Sequence, residues 1–190
     1  MMKNLIYLFI LIPFMHFAQT KTCTYEYEEK TDSTSVKILP KELIYEKVFG
    51  SSREFLQFSL MNNNGVPTLI IQQIQKSQDF ITTNCLNKSS RIIVQLENGK
   101  IISLLSANED VCSALAYNEE DKSNIRIITG YFVFTKTNYE ELKRSPISLM
   151  RIQYLGGSKD YVIEKEIQSE LLKSTFHPNK YFIENLHCVE

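Results

Sequence analysis

Residues 91–105 read Arg-Ile-Ile-Val-Gln-Leu-Glu-Asn-Gly-Lys-Ile-Ile-Ser-Leu-Leu, and this stretch decides the fold class. Two apolar runs flank Asn98-Gly99, a pair that readily adopts the positive φ angles of a type I′ hairpin turn. A two-residue turn there predicts Glu97 opposite Lys100, Leu96 opposite Ile101, Val94 opposite Ser103 and Ile92 opposite Leu105. One face of such a ribbon is apolar enough to be buried.

The same alternation extends outward. Upstream, residues 54–61 place Leu56, Phe58 and Leu60 against Gln57 and Ser59, Asn62-Asn63-Asn64-Gly65 supplies left-handed turn chemistry, and residues 66–75 return as a second hairpin. Residues 23–28 read as a strand before the turn-prone Lys30-Thr31-Asp32-Ser33, and residues 35–48 as an extended stretch interrupted at Pro40. Downstream, residues 106–124 read as a polar connection and residues 125–136 as a strand with a bulge at Gly130. Residues 147–154 and 161–164 form a hairpin around Gly156-Gly157-Ser158-Lys159. Asn138 is an N-cap candidate for a short helix stopped by Pro146. Ile167, Leu171, Leu172 and Phe176 fall on one side of a helix, and Pro178 opens another through Tyr181, Phe182 and Leu186.

Runs of strands followed by helices, without regular strand-helix alternation, predict an α+β, β-rich chain. The expected architecture is an antiparallel sheet or sandwich of hairpins with short helices gathered at the C-terminus. The predicted core is Leu56, Phe58, Leu60, Leu69, Ile71, Ile92, Val94, Leu96, Ile101 and Leu105. No repeat or shift in composition divides residues 19–190, which are read as a single globular domain.

Composition supports one sizeable core: 43% of the 190 residues are hydrophobic and 23% charged, which fits neither disorder nor a disulfide-only scaffold. Met1-Met2-Lys3-Asn4 followed by the apolar run from Leu5, with Ala18 at a cleavage position, reads as a signal peptide over residues 1–18. The run is about fourteen residues with Pro13 inside it, short of the about 20 that a membrane span needs. The mature chain is expected to begin at Gln19. Thr20-Lys21-Thr22 lacks the small, uncharged approach that lipidation of Cys23 requires. Lys3 is the only charge in residues 1–18, so 20 basic residues face 22 acidic ones after cleavage, a net charge of −2. That balance excludes a non-specific nucleic-acid binder.

Cys23, Cys85, Cys112 and Cys188 all survive cleavage, and an even count in an oxidising compartment predicts two disulfides. Of the three possible connectivities, we favour Cys23 with Cys188, tying the termini, and Cys85 with Cys112, joining the loops that flank the 91–105 hairpin. Spacings of 62, 27 and 76 residues lack the close ligand pairs of structural zinc sites.

Chemistry-bearing motifs are few. There is no G-x-S-x-G, H-E-x-x-H, P-loop or G-x-G-x-x-G, and Gly156-Gly157 is explained by its turn. His177 and His187 are the only histidines after residue 18, and His187 adjoins Cys188, but neighbouring side chains normally diverge and a disulfide removes the thiolate; a terminal helix histidine beside the last carbonyls is the better reading. Glu26, Glu28 and Glu29, and the loop acids Glu109, Asp110, Glu119, Glu120 and Asp121, could pair for glycoside hydrolysis or hold calcium, yet residues 118–124 lack an EF-hand's spaced ligands. Asn87-Lys88-Ser89 matches a glycosylation acceptor and reads otherwise as a loop. No catalytic, cofactor-binding or metal residue is assigned.

The sequence therefore predicts a secreted or periplasmic, non-enzymatic binding or interaction protein of the cell envelope or extracellular space. It would engage a protein or envelope component, with no nucleic acid, no cofactor and no transmembrane segment after cleavage. Two alternatives remain: a small secreted hydrolase with a dispersed carboxylate site, marked by two converging carboxylates, and a β-walled carrier of a small apolar ligand, marked by a dry cavity.

Overall fold

The computed structural model describes residues 22–190; the expected signal peptide over residues 1–18 and the expected mature start at Gln19 lie outside the described residues. In chain order the strands are β1 (Tyr27–Lys30), β2 (Ser35–Ile38), β3 (Glu42–Phe49), β4 (Ser52–Asn63), β5 (Val66–Ser77), β6 (Cys85–Leu86), β7 (Arg91–Leu96), β8 (Ile101–Ser106), β9 (Val111–Cys112), β10 (Ala114–Asn118) and β11 (Ser123–Val133). Helix α1 (Lys136–Leu142), β12 (Ile147–Tyr154), β13 (Gly157–Val162), β14 (Ile167–Gln168), β15 (Thr175–Phe176) and helix α2 (Tyr181–Asn185) follow, the last flanked by 3-10 turns at Pro178–Lys180 and Leu186–Val189. The chain is β-rich and antiparallel, with its last helix at the C-terminus.

Eleven strands share one sheet, ordered β1-β2-β4-β5-β11-β8-β7-β12-β13, with β3 beside the first half of β4 and β10 beside the first half of β11. Its spine is the β4–β5 ribbon, in register from Arg53↔Lys76 to Asn63↔Val66 and closed by Asn64 and Gly65 at φ 50° and 83°. Opposed residues of an antiparallel pair point to one face, so Leu56, Phe58 and Leu60 share a face with Leu69 and Ile71. The sheet rolls around that face. Phe132, Ile102, Leu104, Ile92, Val94, Leu96, Met150 and Ile152 fill the interior, all buried, each worth roughly 1.5–3 kcal/mol relative to exposure. The outermost strands meet through side chains: Tyr45 of β3 lies edge-on to Tyr161 of β13, ring centroids 5.0 Å apart.

One end of the roll is sealed by apolar packing. Phe58 meets Tyr181 and Phe182 at centroid distances of 5.5 and 5.9 Å, and Phe134 packs against Phe182 and Tyr139. The carbonyls of the final turn are held from three separate segments: Tyr139 of α1 donates to Leu186, Asn62 of β4 to Val189, and Tyr25, ahead of β1, to Cys188. A disulfide joins Cys23 to Cys188 across 165 positions of sequence.

Several local expectations are corrected. The 91–105 hairpin turns on three residues, with Leu96 N–H bonded to Lys100 C=O and Gly99 at φ 83°, a type I turn completed by a left-handed glycine. The register moves by one, Ile92↔Leu104 and Val94↔Ile102, so Ile102 and Leu104 enter the core while Ile101 (70% exposed) and Leu105 (39%) face outward. Gly130 makes no bulge: β11 pairs unbroken with β5 through Thr129↔Gln72, Gly130↔Ile71 and Tyr131↔Ile70. A Cβ there would stand 2.5 Å from Leu86 Cδ1, so the glycine leaves room for β6 to dock.

Residues 106–124 contain β9 and β10 rather than only a polar connection. Where β8 leaves β11, buried Asn108 stands in for a strand, accepting from Tyr131 N–H and donating to its C=O. The N-cap of α1 is Thr135, whose hydroxyl accepts from Asn138 N–H. The first strand runs over Tyr27–Lys30, later than residues 23–28. The helix expected over residues 167–176 is instead the β14–β15 hairpin. Ser169 Oγ accepts from Leu172 N–H, Lys173 sits at φ 50°, and Leu171 and Leu172 remain exposed. A serine offering its own turn hydrogen bonds competes with helix propagation in so short a segment.

Candidate functional site

At the opposite end of the roll the interior becomes polar. Two residues before Leu56 on the inward face stands Glu54, and two after Ile71 stands Gln73; both are buried. Gln73 sits at the centre of a closed network. Its amide nitrogen donates to Glu54 Oε1 (2.8 Å) and the Tyr161 hydroxyl oxygen (2.9 Å), while its carbonyl oxygen accepts from Tyr154 (3.1 Å) and Asn84 Nδ2 (3.0 Å). The full capacity of the amide is used, and flipping it would set donors against donors. Tyr161 also donates to Glu54 Oε1 (3.1 Å), and Lys159 pairs with Oε2.

Burial, then its neighbours Tyr154 and Glu54, pushes the Tyr161 hydroxyl far above the ordinary tyrosine range; burial likewise raises Tyr154. Both phenols therefore stay protonated as donors.

Beyond this plug the roll opens into a groove of about 470 Å³. The β3–β4 hairpin supplies one wall: Phe49 is opposite Ser52 and Lys47 opposite Glu54, all on the concave face, where Ser52 Oγ lies 2.8 Å from Ser77 Oγ. Residues 79–84 supply the other wall, carrying Phe80. Phe49 is 78% exposed and Phe80 83%. Arg53 and Lys76 line the rim. A second concavity, about 380 Å³, adjoins across the shared residues Thr82, Asn84 and Lys159 and reaches Gly156 and Gly157.

The loop wall is tied down at many points. Arg126 donates to the carbonyls of Ile81 (2.8 Å) and Ser113 (3.2 Å), and Asn84 and Ser113 exchange hydrogen bonds. Cys85 is bonded to Cys112, joining β6 to β9, and Leu155 N–H reaches Cys85 C=O, tethering the β12–β13 turn to the same bridge.

The residues singled out from sequence lie elsewhere. Glu26, Glu28 and Glu29 are exposed on or beside β1, with Glu28 paired to Lys37. Glu109 pairs with Lys88, Asp121 with Lys76, and Glu119, Glu120 and Asp110 face solvent. His177 is exposed, its Nδ1 3.3 Å from Lys165 C=O. His187 does not diverge from its neighbour, as Nε2 lies 3.4 Å from Cys188 Sγ. Cys23, His187 and Cys188 thus form a compact trio, but both sulfurs are spent on each other and offer no thiolate to a metal. Asn87 Oδ1 is engaged by the backbone and hydroxyl of Ser89 in a turn.

Sequence reading missed Glu54, Gln73, Tyr154, Lys159 and Tyr161. The signal was present: carrying the Leu56-Phe58-Leu60 alternation back one step, and the Leu69-Ile71 alternation forward one, reaches a carboxylate and an amide at positions that should be apolar. No protein-family model, curated protein or solved structure matches this chain.

Proposed function

We propose that the chain is an exported, non-enzymatic binding protein whose ligand site is the groove beside Glu54. The observation that carries this reading is an open concavity, on a rigidly tied frame, flanked by two solvent-exposed phenylalanines. Large exposed aromatics at a concave site mark recognition surfaces. Two disulfides fit an oxidising compartment, and no helix among the described residues is long and apolar enough to cross a membrane.

A hydrolase needs a carboxylate free to activate water or attack, with a second one converging on the same bond. Both Glu54 oxygens are held by Gln73, Tyr161 and Lys159, so its role is to close the end of the roll. An apolar carrier needs a dry cavity, whereas Phe58, Phe132 and Ile71 fill the interior.

The test is a fragment screen read by amide chemical shifts. Shifts clustering at residues 47–54, 75–84 and 157–159 are expected. Scattered shifts would remove the reading, and turnover of chromogenic glycosides abolished by Glu54→Gln would replace it with the hydrolase.

A further inference from the structure

Resting on that reading, we infer that the ligand of the groove is a neutral oligosaccharide. The strand register sorts the charges that line it. Lys47, Phe49, Ser52, Glu54, Gln75 and Ser77 share the concave face, whereas Arg53 and Lys76 oppose each other on the outer face of the sheet, beside Val48, and reach only the rim. The concave side therefore holds Lys47 and Lys159 against Glu54 and Asp79, two charges of each sign. With the signs balanced, no net field concentrates there to draw in an ion of either charge.

What the groove offers instead is aromatic area and unspent hydrogen-bonding groups. Phe49 and Phe80 stand on different walls, and neither makes a ring contact among the described residues. The face of a phenyl ring carries negative charge density that attracts polarised C–H groups. A sugar ring presents a patch of such C–H groups on its face and its hydroxyls around the edge. Beside the rings, the Lys47 ammonium, the Gln75 amide, the Asp79 carboxylate and the Thr82 hydroxyl make no side-chain hydrogen bond or ion pair among the described residues. Lysine only donates, an ionised carboxylate only accepts, and amide and hydroxyl do both. A sugar hydroxyl also does both, so it finds a partner in any of the four, whereas an apolar body would take them out of water unpaired. The adjoining concavity of about 380 Å³ shares Thr82, Asn84 and Lys159 with the groove and lengthens the site, which suits a chain of sugars better than a single ring. Glu54 lies among these groups but is held by Gln73, Tyr161 and Lys159, so the chain is bound there without being cut.

A panel of hexaoses separates charge from stacking. Cello-, laminari-, malto-, manno- and xylohexaose are neutral, hexagalacturonate is acidic and the glucosamine hexamer is basic. Titrated into the folded, disulfide-bonded chain and read by amide shifts, at least one neutral hexaose is expected to bind at residues 47–54, 75–84 and 157–159. It should bind about tenfold or more tightly than either charged hexaose, with an affinity indifferent to salt. Phe49→Ala with Phe80→Ala, at two largely exposed positions, should weaken it about tenfold. Lys47→Ala with Asp79→Ala keeps the charges balanced, removes two hydrogen-bonding partners and should weaken it by about the same factor. Comparable or tighter binding of a charged hexaose, or an affinity that falls as salt rises, would overturn the neutral assignment. Silence of every hexaose at about 10 mM, with fragments still shifting the groove, would overturn the saccharide and leave the groove as a binding site. Hexaose binding indifferent to the phenylalanine pair would overturn stacking in this groove. Co-sedimentation with phosphatidylcholine vesicles, lost in the phenylalanine variant, would overturn the saccharide in favour of a lipid surface.

Discussion

The rolled sheet is closed at its two ends by opposite chemistry, and the contrast separates what holds the fold from what faces a ligand. At one end Phe58, Phe134, Tyr181 and Phe182 interlock beneath the final turn, and the Cys23–Cys188 bridge pins that turn to the start of the described chain. At the other, a single amide, Gln73, joins Glu54, Tyr154, Tyr161 and Asn84 into a saturated plug, and the space beyond it is open. Apolar closure yields stability without direction. Polar closure yields a fixed arrangement of donors and charges, which lets the walls above carry specificity.

Removing the terminal bridge should have the largest effect. Cys23→Ala with Cys188→Ala frees a loop of 165 residues, for which chain entropy gives up to about 5 kcal/mol. Urea unfolding should show that loss with the fragment-induced amide shifts of the groove unchanged; their disappearance in the still-folded variant would mean that the two ends are not independent. Gln73→Leu comes next, at about 3 kcal/mol, because it takes the acceptor from Tyr154 and Asn84 and one of the donors from Glu54. A cost below about 1 kcal/mol would show that water replaces the amide and that the plug is not dry.

Alkaline titration compares the ends directly. Tyr181 at the sealed end, and Tyr154 and Tyr161 at the plug, all have ionisation pushed upward, chiefly by burial. Raised folded values leave stability intact below the unfolded tyrosine value near pH 10 and erode it above, by about 1.4 kcal/mol per pH unit for each group. Tyrosinate absorbance from these three should appear only with global unfolding. A phase preceding it would place local opening at the plug. The smallest expected change in stability is for Phe80→Ala, within about 0.5 kcal/mol, since the ring is 83% exposed. A larger cost would mean that Phe80 serves the fold rather than the groove.

The β4–β5 ribbon was legible because its inward positions alternate with polar ones: Leu56, Phe58 and Leu60 needed no turn chemistry to assign. Residues 101–105 were not legible in the same way. Ile-Ile-Ser-Leu-Leu offers an equally apolar set on either parity, so one residue in the turn decided whether Ile101 or Ile102 was inside. The C-terminal segment failed for a different reason. Ile167, Leu171, Leu172 and Phe176 have helical spacing, but local hydrogen bonds at Ser169 settled the backbone first. The plug was written in the same alternation as the core, as polar residues on inward positions. Its walls were not, because Phe80 and Lys47 acquire meaning only when residues 79–84 fold across the hairpin.

The covalent link from Cys23 to Cys188 also fixes how this protein answers a pull. Force applied to chain on either side of the bridge crosses between Cα atoms 5.5 Å apart and bypasses every strand. The chain between them, a sequence separation of 165 and on the order of 550 Å of contour when extended, stays mechanically silent until the bridge is reduced. Tethered to a surface and sheared by flow, the molecule would behave as an inextensible knot, with its groove carried along unloaded.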